Sequence, residues 1–174
     1  MVKSCVVFRS SCSRYLLEKG DNLISFEKVS FSYPGRNQRS VDSINLSIED
    51  GECVLICGRS GCGKTTLTRL INGTVPNFYD GNLTGSIFIN GKNVSNLPMY
   101  ELAQKVGSVF QNPRTQFFNV DTDSEIAFGL ENKGVEHNEL VEHVRETILE
   151  LGIQHLQNRS IFELSGGEKQ KIAF

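Results

Sequence analysis

The chain has 174 residues, enough for one domain or part of a larger one, and 39 % of them are hydrophobic before glycine is counted. Its formal net charge of −2 argues against a strongly basic nucleic-acid surface. No apolar run approaches the roughly 20 residues of a membrane span, so membrane association is expected only through partners.

Residues 1–22 look unlike the rest. Lys3, the brief apolar patch Val6–Phe8, Arg9 and Arg14 do not make the roughly 7–15-residue apolar core of a secretory signal, and a disordered N-terminal extension is expected. Structure is expected from Leu23, so that residues 23–174 form the folded part. Ile24, Phe26, Val29 and Phe31 read as a strand whose alternation slips once, at a bulge. Tyr33-Pro34-Gly35 marks a turn. Val41–Ile48 alternates, with Ile44, Leu46 and Ile48 on one face and Asn45 and Ser47 on the other. Asp50-Gly51 signals a tight hairpin into the apolar strand Cys53–Cys57.

Gly58–Thr65 follows, reading GRSGCGKT, and fits G-x-x-x-x-G-K-[ST]. A chance match in a chain of this length has odds of roughly one per cent or less. Gly58, Gly61 and Gly63 permit backbone angles that let N–H groups line a concavity around an anion. Lys64 adds a full charge toward the outer phosphates, and the Thr65 hydroxyl suits a Mg²⁺ ion. Leu67, Leu70 and Ile71 have the spacing of a buried helical face, stopped by Asn72 and Gly73. Strand, glycine loop and helix together define a nucleotide site.

The five cysteines are Cys5, Cys12, Cys53, Cys57 and Cys62, an odd count without C-x-x-C spacing. Reduced thiols are expected, with Cys53 and Cys57 buried on their strand. Cys62 lies inside the loop, where alkylation should block nucleotide binding and ATP should protect.

Thr74–Leu83 reads as loop, Gly85–Gly91 as a strand ending in an Asn90-Gly91 turn, and Pro98–Lys105 as a helix with Pro98 at its first position. Val106–Phe110 reads as a second buried strand, ending at Gln111-Asn112-Pro113. Thr122 and Glu125 fit a capping box, opening a helix to about Asn132. Asn138 is a candidate cap for the next helix, with Leu140, Val144, Ile148 and Leu151 as its core stripe and Gly152 as its stop. In LSGGEKQK, Ser165 and Glu168 fit another capping box. The pair Gly166-Gly167 is poor helix filler, at about 1 kcal/mol each relative to Ala, but allows close approach of an anion.

These motifs, in this order, resemble the ATP-binding cassette (ABC) ATPase family from about Leu23 to Phe174. The resemblance implies a mixed α/β phosphate-loop NTPase cassette fold. It would comprise a parallel core sheet with helices, N-terminal antiparallel strands and a helical subdomain before the signature. SFSYPG resembles the aromatic loop, in which Tyr33 would stack on adenine. GRSGCGKTT resembles the Walker A loop, giving Gly58, Arg59, Ser60, Gly61, Cys62, Gly63, Lys64, Thr65 and Thr66 as the ATP-binding set. VFQNP resembles the glutamine loop, in which Gln111 would touch Mg²⁺ or the attacking water. LSGGEKQ resembles the signature, in which Ser165, Gly166, Gly167 and Glu168 would meet the ATP of a partner subunit. Gln111 and Lys64 would be the catalytic residues present, and Thr65 and Gln111 the Mg²⁺ contacts.

QNPRTQFF and EIAFGLEN look like the energy-coupling-factor branch, which resembles cobalt- and biotin-type importers. The implied function is ATP-driven uptake of vitamins or metal ions by closure of a cassette dimer. The implied partners are a second ATPase subunit or domain and a transmembrane coupling subunit, with no nucleic acid. The implied place is the cytoplasmic face of the cell membrane, peripherally. The Walker B strand, its catalytic Glu and the switch His would follow the signature helix, in which the sequence ends. The 174 residues alone are therefore expected to be marginally stable, to bind ATP weakly and not to turn it over. The competing readings are a soluble cassette protein acting on ribosomes or DNA, disfavoured by the balanced charge, and a non-catalytic ATP-binding fragment. A GTPase is disfavoured because Val135 follows Asn132-Lys133-Gly134 where guanine recognition wants Asp.

Overall fold

The computed structural model describes residues 22–110 and 112–174. Residues 1–21 of the expected N-terminal extension (1–22) and Gln111 lie outside the described residues, whereas Asn22 opens the first strand. The chain divides into two compact units, split between Ser108 and Val109.

The first unit is built on an antiparallel sheet. Its strands are β1 (Asn22–Ser32), β2 (Val41–Glu49), β3 (Asn82–Ile89) and β4 (Lys92–Asn93), in the order β2-β1-β3-β4. The slip expected in β1 is present. Ile24 and Phe26 point into the core, Lys28 takes φ 50°, and Val29 and Phe31 are again fully buried. The register against β3 shifts between Glu27 and Ser30. Without this extra residue, the strict alternation of a strand would turn Val29 and Phe31 outward. Gly85 on β3 has φ 84° and faces the bulge, where a Cβ would come within 2.5 Å of the Glu27 and Lys28 carbonyl oxygens. Asn90 and Gly91 both have positive φ, at 49° and 72°, as a two-residue hairpin turn requires.

Three helices accompany this sheet: α1 (Lys64–Ile71), the short α2 (Thr74–Asn77) and α3 (Met99–Lys105). Leu67, Leu70, Ile71, Val75 and Leu102 join Ile24, Phe26, Phe31, Ile48, Ile87 and Ile89 in one core cluster. Several boundaries differ from the expectations. β3 starts at Asn82, because Leu83 pairs with Phe31 before Gly85 is reached. Pro98 is the N-cap of α3 rather than its first residue, with extended ψ of 150°.

The expected strands at 53–57 and 106–110 carry no ladder. Val54 and Ile56 pack against the core cluster, while Cys53, Leu55 and Cys57 are exposed, Leu55 by 57 %. Cys53 and Cys57 are thus outward-facing thiols, not the buried hydrophobes expected of them. Val106 is buried, yet Val109 and Phe110 are nearly half exposed. A strand is held by hydrogen bonds to its neighbour, and neither segment finds one among the described residues. The Asp50-Gly51 turn forms, with Gly51 at φ 81°, but it closes no hairpin.

The second unit is helical: α4 (Thr122–Glu131), α5 (His137–Glu150) and α6 (Gly166–Ala173). Its core is Ile148, Ile153, Leu156, Leu164 and Ile172, with Val144, Leu151, Phe117 and Ile126 packed against it. Two caps fall elsewhere than expected. Asp121, not Thr122, caps α4 by accepting from the Ser124 N–H. The buried Thr122 hydroxyl instead donates to the Leu156 carbonyl at 2.7 Å, and Glu125 accepts from the Phe118 and Asn119 N–H groups. Glu136, not Asn138, caps α5. Gly152 ends the segment at φ 62°.

Candidate functional site

The loop at 58–65 joins the one-sided segment 53–57 to α1. Gly61 and Gly63 sit in the left-handed region, at φ 83° and 95°. At Gly63 the backbone passes so close to β2 that a Cβ would collide with the Ser40 carbonyl and lie 3.1 Å from Val41 Cγ1. A Cβ at Gly58 would meet Cys62 Sγ at 2.6 Å. The Lys64 ammonium folds back inside this ring, donating to the Gly58 carbonyl at 2.8 Å and the Arg59 carbonyl at 2.7 Å. Cys62 Sγ stands 3.6 Å from the same nitrogen. No side chain caps the N-terminus of α1, so its first N–H groups and positive dipole end are open to an anion. A glycine-rich cradle around a cation fits the polyphosphate of a nucleotide. Thr65 is exposed on the first turn of α1, where its hydroxyl could serve a Mg²⁺ ion.

Tyr33 stands beside this loop. Its ring packs edge-on against Phe31 with centroids 4.9 Å apart, and its hydroxyl is 3.3 Å from the buried Thr66 hydroxyl. Thr66 is therefore turned to Tyr33 and the interior, away from the loop's open side. Tyr33, Pro34, Gly35 and Arg36 form one turn, closed by the Arg36 N–H on the Tyr33 carbonyl at 3.3 Å, with Gly35 at φ 70°. An open cleft of about 480 Å³ lies between residues 36–40 and the loop residues Gly61 and Cys62. Arg39 in its wall is paired with Asp42 at 2.6 Å. The Arg39 hydrogen bond holds the Asp42 carboxyl below the usual carboxylate range. Motif reading missed these wall residues, although two arginines within four positions of an aromatic turn were a usable signal.

The turn at Ser165 belongs to the second unit. Here the expected capping box is complete: the Glu168 N–H donates to Ser165 Oγ at 3.3 Å and the Ser165 N–H to Glu168 Oε2 at 2.7 Å. The bond to the Ser165 side chain, then that to its N–H, lowers the Glu168 carboxyl below its ordinary range. Gly166 and Gly167 are exposed, with open space where their side chains would be. Lys169, unremarked in the sequence, is 4 % exposed and donates to the Leu164 carbonyl at 2.7 Å and the Phe162 carbonyl at 3.4 Å. It ties down the chain that leads into the signature. Among the described residues no three His, Cys, Asp or Glu side chains gather as a metal site, and no helix is long and apolar enough to cross a membrane.

A glycine loop pressed against the start of β2 and closed around a lysine, followed by a helix with an uncapped N-terminus, defines a phosphate-loop nucleotide-binding fold. The chain belongs to the ABC transporter family, whose model matches residues 41–174. It is 55 % identical over 152 residues to a Treponema denticola protein named as an ABC transporter ATP-binding protein, covering 87 % of this chain and 31 % of that one. It is 40 % identical over 154 residues to a Bacillus subtilis protein named as an HMP/thiamine import ATP-binding protein, covering 88 % of this chain and 28 % of that one. Among solved structures it resembles cbiO1 of Clostridium perfringens, part of the ABC transporter complex cbiONQ. The TM-score is 0.77 at 27 % identity, covering 88 % of this chain and 59 % of that one. The chain thus spans about a third of these curated relatives. The mixed α/β cassette fold, with N-terminal antiparallel strands and helices, is that of the family.

Proposed function

We propose that this chain is the nucleotide-binding part of an ATPase that powers membrane import, of the energy-coupling-factor type, with a vitamin or metal ion as cargo. The observation that carries the reading is the Lys64 ammonium held inside a glycine-rich loop whose Gly63 leaves no room for a Cβ against the Ser40 carbonyl. The similarity to a protein named as an HMP/thiamine import ATP-binding protein supports import, and that to cbiO1 of the ABC transporter complex cbiONQ supports a place in a transporter complex.

On this reading the N–H groups of Gly58–Thr66 and the Lys64 charge hold the phosphates of ATP, and Tyr33 stacks on the base. Thr65 and Gln111 would hold Mg²⁺, which would supply positive charge against the phosphates. Ser165, Gly166, Gly167 and Glu168 present an N–H-rich turn to a nucleotide held by a second cassette subunit or domain. Closure and reopening of that pair is a two-state switch, passed to a transmembrane coupling subunit at the cytoplasmic face of the membrane. The 174 residues alone bind ATP weakly and do not turn it over, because phosphoryl transfer also needs a carboxylate to orient the water. Equilibrium binding and phosphate release test this against Lys64→Ala. Binding that Lys64→Ala removes is the expected result. Affinity equal to that of the variant refutes the site, and multiple turnover above the variant refutes the inactivity.

A further inference from the structure

The wall of the cleft beside the loop carries two cations, Arg36 and Arg39. Arg39 is neutralised by Asp42 at 2.6 Å. The Lys64 ammonium is held by its own loop carbonyls. Arg36 has no ion pair among the described residues, and its guanidinium lies over the Tyr33 ring, with the central carbon 5.8 Å from the centroid. The same turn holds both groups: its closing bond runs from the Arg36 N–H to the Tyr33 carbonyl, and Gly35 supplies the positive φ that a Pro-Gly turn needs. The turn therefore sets the ring and the guanidinium beside one another. Two stacked layers need about 7 Å between outer planes, at roughly 3.5 Å per contact. The Arg36 side chain is exposed, so it can swing outward to open that space. Nucleobases stack on aromatic rings and on guanidinium planes alike.

We propose that Arg36 is the second wall of the base site, so that the nucleobase inserts between the Tyr33 ring and the Arg36 guanidinium. The proposal rests on the nucleotide reading above and adds a residue to it. Tyr33 is fixed by Phe31 and Thr66, so it forms the rigid wall, and Arg36 closes over the base. The clamp acts on the base and leaves the phosphates to the glycine loop.

Calorimetric titration of the 174-residue chain with ATP and with inorganic tripolyphosphate tests it. Arg36→Ala should weaken ATP binding by about three- to tenfold and leave tripolyphosphate unchanged. Arg36→Lys should recover only part of the loss, since an ammonium keeps the charge but not the plane. Unchanged or tighter ATP binding in Arg36→Ala overturns the proposal, because the guanidinium would then merely cover the ring. An equal loss for tripolyphosphate overturns it in favour of a phosphate contact, and full rescue by Arg36→Lys overturns the stack. Tyr33→Leu and Lys64→Ala separate the layers of the argument. If Tyr33→Leu weakens ATP and Arg36→Ala does not, the clamp alone fails. If Lys64→Ala weakens ATP and Tyr33→Leu does not, the base site fails, and the clamp with it. If the unmodified chain binds neither ligand, the nucleotide reading itself fails.

Discussion

Two glycine-rich turns open helices in this molecule, and they are built in opposite ways. At Gly58–Thr65 the glycines are obligatory inside the chain. Gly61 and Gly63 have left-handed φ, Gly63 is pressed against β2, and no side chain caps α1. At Ser165–Glu168 the cap is complete, while Gly166 and Gly167 face open space at ordinary φ. The first turn is shaped by tertiary contact and leaves the N-terminus of α1 without a side-chain cap. The second is shaped by four consecutive residues. Nothing within its own fold demands its glycines; on the function proposed above, the demand comes from a nucleotide that approaches the exposed face.

The largest effects should fall on the first turn. Gly63→Ala puts a methyl group into the Ser40 carbonyl at φ 95°. It should lower unfolding stability by about 2 kcal/mol or more, read from urea melts. A near-neutral result would mean that the loop is not held by β2. Lys64→Ala should leave the fold intact and weaken ATP binding at least about tenfold, since it removes a charge-assisted contact.

The second turn should answer more mildly. Ser165→Ala removes the cap and should cost about 1 kcal/mol in thermal unfolding. Gly166→Ala and Gly167→Ala should do the reverse, raising stability by up to about 1 kcal/mol each, because Ala is the better helix former and has room here. A clear destabilisation by either would erase the contrast between the turns.

The smallest effect is on pH dependence. The folded-state carboxyls of Glu168 and Asp121 are both lowered, Glu168 chiefly by the Ser165 side chain and Asp121 chiefly by the Ser124 N–H. A lowered folded pKa contributes stability that is present above the unfolded pKa and lost as pH falls through the folded one. Acid titration should therefore show stability declining below the ordinary carboxylate range. Glu168→Gln should flatten part of that decline, and an unchanged acid limb would show the cap to be electrostatically idle.

Much of the site was legible because its chemistry is compressed into short windows. The loop pattern, the Leu67-Leu70-Ile71 face of α1 and the Ser165 box all lie within a few residues of themselves. The bulge in β1 was legible from the Phe26-to-Val29 spacing. Where two side chains could serve the same end, sequence did not choose between them. Asp121 and Thr122 are both good caps, and Thr122 was claimed by the Leu156 carbonyl, thirty-four residues away. The apolar runs 53–57 and 106–110 had strand composition, but composition does not supply a neighbour to bond with.

The sequence by itself determined the family, the phosphate loop, the signature cap and the order of most elements, because local spacing fixes backbone angles and which side chains can share a face. Only the tertiary structure decided that Gly63 lies against Ser40, that Lys64 turns inward, that Thr66 belongs to Tyr33, and that Arg36 covers the Tyr33 ring while Arg39 is spent on Asp42. Those outcomes depend on distances between segments remote in the chain or on competition among neighbouring charges, which no local pattern records.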